Sequence, residues 1–359
     1  MISKTFFEQL ELMAKEKEMS YEEILEATKK SLANAYKKSE GLNSNVPIRI
    51  ELKPEKHEIQ IYAQYMVVEE VKDIVDGEPC QVTLADAKKL KSNVKVGDTF
   101  EVAVDPKKFG RIAASTGKQV FNQTVRGFEK DKTYRYFKDK ENEMLTADVV
   151  EISDDYITLN IGYNTTILLP KKETLPNDKF EKGDRINVYL VSVEVGNKGP
   201  KIYVSRSDKN LVTRLMENNI PEIASGVIEI KGIARDPGDR TKVAVYSQNA
   251  NVDAIGSCVG EKGSRIKKIV EALNNEKIDL YLYSEDPAVL IANSLQPAKV
   301  ISVIDIDPKN KTSLAIVPDN QLSLAIGKAG QNVRLAVQSC GYKIDIKSQS
   351  EADKENISY

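Results

Sequence analysis

Residues 260–273 read GEKGSRIKKIVEAL and residues 327–340 read GKAGQNVRLAVQSC, and the second stretch repeats the frame of the first. Gly260-Glu261-Lys262-Gly263 returns as Gly327-Lys328-Ala329-Gly330 at an offset of 67 (260 to 327). Behind the loops, Ile266, Ile269, Val270 and Leu273 fall at i, i+3, i+4 and i+7, and Val333, Ala336, Val337 and Cys340 fall at the same offset. Two equal loop frames, each followed by a helix with the same apolar stripe, mark an internal duplication. It extends outward: TKVAV from Thr241 is matched by TSLAI from Thr312, and KIDL from Lys277 by KIDI from Lys343. Each unit reads strand, strand, short helix, G-x-x-G, helix, strand, with a further helix ahead of it near residues 211–218 and 287–295.

The chemistry of G-x-x-G between two helices is specific. Two glycines admit positive φ and remove side-chain bulk, so a sugar-phosphate backbone approaches the main-chain amides of the loop. The helix that follows adds its free N-terminal amides and the positive end of its dipole. Lys262, Arg265, Lys267 and Lys268 surround the first loop, and Lys328 and Arg334 the second. Glu261 offsets part of the charge of Lys262, so the second loop is expected to contribute more affinity.

Ahead of the duplication, residues 145–206 read as five short strands separated by turn residues such as Gly183-Asp184 and Gly196-Asn197-Lys198-Gly199, which suits a small closed barrel. Tyr156, Tyr163 and Tyr203 in this stretch are candidates for stacking on bases, and Arg206 at its end is a candidate rim charge. Residues 112–145 are polar and helix-favouring, with Gly117 and Gly127 as weak points, and predict a connecting helix. The first 40 residues predict two helices, started by the S/T-x-x-E pairs Thr5/Glu8 and Ser20/Glu23. Their apolar stripes are Phe6, Leu10 and Met13, then Leu25, Leu32, Ala35 and Tyr36. From Ile48 the period falls to two, with a turn at Pro54–His57, which predicts a hairpin in a small α+β domain.

Composition removes several classes of function. The 52 basic and 54 acidic side chains give a formal charge of −2, so affinity for nucleic acid has to come from local placement of charge. One histidine, His57, and three dispersed cysteines, Cys80, Cys258 and Cys340, are too few for a zinc cluster, and neither metal nor cofactor is expected. Sparse cysteines with no secretory signal point to a reducing, cytoplasmic setting, and no stretch reads as a membrane span.

The duplicated units resemble tandem KH domains, and the strand-rich stretch before them resembles an OB-fold RNA-binding domain of the S-one type. The whole order is similar to the NusA family of bacterial transcription factors. The strings that carry the likeness are IEIKGIARDPGDRTKVAV from Ile228, residues 252–263, KIDL from Lys277, PAKV from Pro297, VPDNQLSLAIGKAGQN from Val317 and, more loosely, RIAASTGKQVF from Arg111. The resemblance implies a multidomain α+β chain: an N-terminal RNA-polymerase-binding domain over residues 1–110, a connecting helix over 111–141, an OB-fold barrel over 142–207, KH domains over 208–283 and 284–347, and a disordered tail over 348–359. It implies a monomeric elongation factor, not an enzyme. Its partners would be RNA polymerase, nascent single-stranded RNA and other Nus-type factors, and it would modulate pausing, intrinsic termination and antitermination. The RNA-binding set is then Gly260, Glu261, Lys262, Gly263, Arg265, Lys267, Lys268, Gly327, Lys328, Ala329, Gly330, Gln331, Asn332, Arg334 and Arg206. The acidic C-terminal repeats of longer relatives are absent from the sequence, so autoinhibition by them is not expected.

Three other readings compete. Gly256-Ser257-Cys258-Val259-Gly260 imitates a nucleophile elbow, but the one histidine lies in another predicted domain. Exoribonucleases of the polynucleotide phosphorylase type also combine KH and S-one domains, in the opposite order and behind large catalytic domains. An RNA chaperone or translation-associated factor would use the same surface without needing the N-terminal domain. For that domain, Phe6, Phe7 and Leu10 are either a docking surface or a core.

Overall fold

The computed structural model describes residues 4–16, 20–39, 47–71, 80–104, 126–127, 129–196 and 199–359. The chain forms two compact units, Met1–Lys132 and Thr133–Tyr359. The predicted connecting-helix start and the RIAASTGKQVF string lie outside the described residues.

In the first unit, helices α1 (Lys4–Glu16) and α2 (Tyr21–Ser39) pack on a sheet of β1 (Ile48–Lys53), β2 (Glu58–Val68), β3 (Cys80–Thr83) and β4 (Thr99–Ala103), with α3 (Leu84–Leu90) between the last two strands. Ser20 starts α2 as predicted: its Oγ accepts from the Glu23 N–H while the Glu23 carboxylate accepts from the Ser20 N–H. The Thr5 side chain lies outside the described ones. The hairpin pairs Ile50 with Ile61 and Leu52 with Ile59 across a turn at Pro54–Lys56. The buried stripe of α1 is Phe7, Leu10 and Ala14, one residue round from the predicted stripe, and it packs with Ile24 of α2. Phe7 and Leu10 are therefore core residues, and of the two readings left open for them the docking surface falls.

The second unit begins inside a helix over residues 129–138 (α4), whose Phe137 plugs a barrel of β5 (Met144–Ile152), β6 (Tyr156–Asn160), β7 (Thr166–Pro170), β8 (Arg185–Glu194) and β9 (Lys201–Ser205). The antiparallel order is β7-β6-β5-β8-β9, nearly closed between β7 and β9. Leu159, Leu169, Val188 and Leu190 fill its interior.

Two units of one topology follow. The first has α5 (Lys209–Asn219), α6 (Pro221–Ala224), β10 (Ile228–Asp236), β11 (Arg240–Ser247), α7 (Ala254–Val259), α8 (Ser264–Ala272) and β12 (Lys277–Leu282). The second has α9 (Pro287–Ser294), β13 (Ser302–Asp307), β14 (Thr312–Val317), α10 (Leu322–Ile326), α11 (Gln331–Cys340) and β15 (Lys343–Ser348). In each, the first two strands pair antiparallel and the last pairs parallel to the second, as KH domains of this order do. The strand match in the sequence is off by one residue. Val243 pairs with Leu280 and Ala315 with Ile346, so Val243 corresponds to Ala315 and not to Leu314. Strand side chains alternate faces, so the packed face decides the register and the TKVAV/TSLAI similarity does not.

Buried polar pairs join the barrel to the first KH unit and that unit to the second. Arg206 makes a two-pronged pair with Asp178 (2.8 and 2.9 Å), donates to the Asn187 carbonyl (2.7 Å) and reaches the Ala272 carbonyl of the KH unit. Arg235 and Glu276 form a second fully buried pair, and Glu276 also accepts from the Gly238 N–H and Thr241 Oγ. Gly238 then lies against Pro176 of the barrel, where a Cβ would approach to 2.7 Å. Between the KH units α11 packs on β10, Tyr281 Oη meets Ser339 Oγ (2.9 Å), and Lys242 Nζ donates to the Gln296 carbonyl (2.7 Å).

The tail expected to be disordered is ordered. Ser348 and Glu351 form a reciprocal cap for α12 (Gln349–Lys354), Ser350 donates twice to Asp319 (3.1 and 2.6 Å), and Ala352 is fully buried. Those hydrogen bonds hold the Asp319 carboxyl below its usual range. A polar composition concealed the segment because one cap and one buried alanine are enough when a folded domain supplies the other surface.

Two outcomes follow. Glu276→Gln leaves Arg235 buried without its counter-charge and is expected to cost about 3–5 kcal/mol in urea unfolding; a loss below 1 kcal/mol would contradict the role given to the pair. Ala352→Asp places a charge in the contact that docks α12 and should cost about 2 kcal/mol, whereas an undocked tail would leave the unfolding midpoint where it was.

Candidate nucleic-acid interface

The two G-x-x-G loops have the same backbone. α7 stops at Gly260 (φ 73°, ψ 174°) and α10 at Gly327 (φ 76°, ψ 171°), a conformation open essentially to glycine alone. Lys262 and Ala329 then adopt the left-handed region (φ 50° and 51°), and Gly263 and Gly330 lead into α8 and α11. The hydrogen bonds also coincide. The Gly260 and Gly327 N–H groups donate to the Gly256 and Ser323 carbonyls (2.9 Å each), and those of Gly263 and Gly330 donate to the carbonyls of Gly260 and Gly327 (3.1 Å each). A Cβ on Gly260 would lie 2.7 Å from Arg265 Cγ, and one on Gly327 2.8 Å from the Asn332 nitrogen. A Cβ on Gly330 would meet nothing within 4 Å. The first glycine of each loop is thus demanded by packing, while the last faces open space, where a phosphate can approach.

The candidate side chains divide by what they touch. Glu261, Lys262, Lys267 and Lys268 are exposed around the first loop, and Lys328 and Ala329 around the second. Arg265 and Asn332 occupy one repeat position and both tie the helix pair together: Arg265 bonds Glu222 and the Ser257 carbonyl (2.7 Å each), and buried Asn332 donates to the Leu295 and Ala325 carbonyls (3.0 Å each). Gln331 donates to Asp236 and Asp239 (3.0 and 2.6 Å), and Arg334 pairs with Asp236 (2.5 Å), so both dock the second loop on the β10–β11 hairpin. Arg206 is a correction. It was expected at a barrel rim, but it is 2% exposed and clamped by Asp178, because the end of β9 is covered by the first KH unit. In the barrel Tyr156, Tyr163 and Tyr203 are all exposed, and Tyr163 also stacks on Tyr136 of α4 at 4.5 Å with the rings 7° apart.

Sequence reasoning missed the cleft beside the first loop. Ile255 and Val259 of α7, Ile266 of α8 and Ile278 and Leu280 of β12 line a space of about 330 Å³, which also touches Lys242, Asp279 and Tyr281 and has Gln296 and Pro297 of the second unit at its edge. The signal was present: Ile255 and Val259 are an apolar i, i+4 pair beside buried Cys258, on the flank of α7 that the core does not consume. Burial pushes the Lys242 ammonium down to about 8. Cys258 is fully buried, and desolvation pushes its thiol up to about 12, so the elbow-like string holds a packed thiol and no thiolate.

Among the described residues no helix is long and apolar enough to cross a membrane. The chain matches the NusA N-terminal domain over residues 5–131, the NusA-like first KH domain over 206–283 and the NusA-like second KH domain over 287–354. It is 43% identical over 349 residues to the transcription termination/antitermination protein NusA of Halalkalibacterium halodurans, covering 97% of this chain and 89% of that protein. The protein of the same name from Bacillus subtilis is 42% identical over 356 residues (99% and 94% covered), and that of Thermus thermophilus 38% over 363 (98% and 92%). With two KH units of one backbone geometry behind a five-stranded barrel, and with this identity over nearly the whole of each relative, the chain belongs to the NusA family.

Proposed function

We propose that this protein is a cytoplasmic, monomeric transcription elongation factor. It docks on RNA polymerase through Met1–Lys132, holds nascent single-stranded RNA on Thr133–Tyr359, and with other Nus-type factors modulates pausing, intrinsic termination and antitermination. The observation that carries the reading is the pair of G-x-x-G loops, equal in dihedral angles and hydrogen bonds, the first beside exposed Lys262, Lys267 and Lys268 and the second beside exposed Lys328. A KH loop clamps about four nucleotides. Two of them in one compact unit make the second contact intramolecular, so modest single-loop affinities combine. Arg265, Gln331, Asn332 and Arg334 support the loops from behind, and Glu261, Lys262, Lys267, Lys268, Lys328 and Ala329 face the RNA. Tethering to polymerase raises the local concentration of emerging RNA, so weak binding suffices.

The test is fluorescence anisotropy of a labelled single-stranded RNA of about 12 nucleotides over a salt series. Each phosphate neutralised by a lysine contributes about −0.7 to the slope of log affinity against log salt, so Lys262, Lys267, Lys268 and Lys328 together should give a slope of about −3. Replacing Glu261, Lys262, Lys328 and Ala329 together by Asp is expected to abolish binding with the circular dichroism spectrum unchanged, because Asp is tolerated in the left-handed positions 262 and 329. Unchanged affinity in the folded variant would refute the loops as the RNA site. The same variant should still co-purify with RNA polymerase; loss of both partners together would refute the division of labour between the two units.

A further inference from the structure

The second loop is flanked by carboxylates of the first KH unit. Arg334 lies 67 residues on from Lys267, so the two occupy one repeat position, and on the reading above Lys267 faces the RNA. Arg334 is instead paired with Asp236 (2.5 Å), while Gln331, the first residue of α11, donates to Asp236 and Asp239 (3.0 and 2.6 Å). The hairpin does not demand this arrangement. β10 and β13 each end in an Asp-Pro turn, at Asp236 and Asp307. Asp307 closes its own turn, accepting from the Lys309 and Asn310 N–H groups (2.8 and 3.1 Å) and from Asn310 Nδ2 (2.7 Å). Among the described residues the Asp236 carboxylate accepts from Gln331 and Arg334, and its turn is closed by the backbone, from the Asp239 N–H to the Asp236 carbonyl (3.1 Å).

A guanidinium offers a carboxylate and a phosphate the same donors, so the two anions compete for it. The pair is open to exchange. The Arg334 and Asp236 side chains are 50% and 26% exposed, and ion pairs in contact with water are held by about 1 kcal/mol or less. That separates this pair from Arg235 with Glu276, which is closed to water. The start of α11 has no side-chain cap, so a phosphate at the loop meets free amides close to Gln331. On the RNA-binding reading, on which this inference rests, we propose that Asp236 and Asp239 are internal competitors of the RNA phosphate for Arg334 and Gln331. RNA at the second loop takes Arg334 from Asp236, and this exchange holds the affinity of the loop below what its cations alone would give. In the free chain the same contact keeps the loop on the hairpin.

The experiment measures the affinity of the full chain and its variants for a labelled single-stranded RNA of about 12 nucleotides, by anisotropy at one salt concentration. Asn at positions 236 and 239 keeps an acceptor for Gln331 and Arg334, and with it the spacing of the loops, but removes the competing charge. Asp236→Asn combined with Asp239→Asn is expected to bind about threefold more tightly than wild type, with Asp236→Asn alone carrying most of the gain. In an Arg334→Met background the same two substitutions should change affinity by less than about 1.5-fold, because the group competed for is gone. Affinity that is unchanged or lower in the Asn variants, as expected of a mere strut between the KH units, overturns the proposal. So does a gain confined to Asp239→Asn, or one that persists in full with Arg334→Met, which would report bulk charge alone. If the wild type does not bind the RNA, the RNA-binding reading fails first and this inference with it; wild-type binding without a gain in the variants overturns the inference alone.

Discussion

Desolvated charge pairs hold the second unit together. Arg206 with Asp178 and Arg235 with Glu276 are almost wholly removed from water, and each also satisfies backbone groups: Arg206 those of Asn187 and, in the neighbouring KH unit, Ala272, and Glu276 that of Gly238 in its own unit. Such pairs contribute little net stability compared with apolar residues of the same size, but neither partner can be lost without stranding the other. Their geometry fixes where the modules meet. Arg206 is bound at once to the barrel and to the end of α8, and Glu276 orders the hairpin tip that receives Gln331 and Arg334. The two G-x-x-G loops are therefore spaced by a chain of polar contacts, and the avidity proposed for them depends on that fixed spacing.

The duplication has kept the backbone and changed the side chains. The dihedral angles of the two loops agree within a few degrees. The residues on that frame differ: Lys262 against Ala329, Arg265 against Asn332, Lys242 against Leu314. Backbone conformation serves the phosphates, which are alike along any RNA strand, so it repeats. Side chains on that frame are under no such backbone demand and diverge: Arg265 and Asn332 tie the helix pair through different partners. At the second loop Asp236 engages the half-exposed Arg334 and Lys328 lies exposed beside it, whereas Lys262, Lys267 and Lys268 are exposed at the first.

Much of the architecture was legible in the residues. The barrel strands, the hairpin at Pro54 and the helix start at Ser20 follow from period, turn chemistry and capping, which are local and act over a few residues. The loops were legible for the same reason, since the φ values they require single out glycine. The misses share a cause. Arg206 was read as a ligand contact because it ends the barrel, and Arg265, Gln331, Asn332 and Arg334 because they are polar and near the loops, yet each bonds a residue far away in the chain or on the next helix. The register of β14 slipped by one because string similarity cannot report which face of a strand is buried.

The sequence by itself determined the duplication, the strand and helix periods and the two glycine-framed loops, because periodicity and backbone freedom are properties of neighbouring residues. Only the tertiary structure decided which charges face solvent and which are spent on joining modules. It also decided that the tail docks as a helix and that Lys242 is buried where the two KH units meet. Those outcomes depend on desolvation, and the water a side chain loses is set by segments distant in the chain.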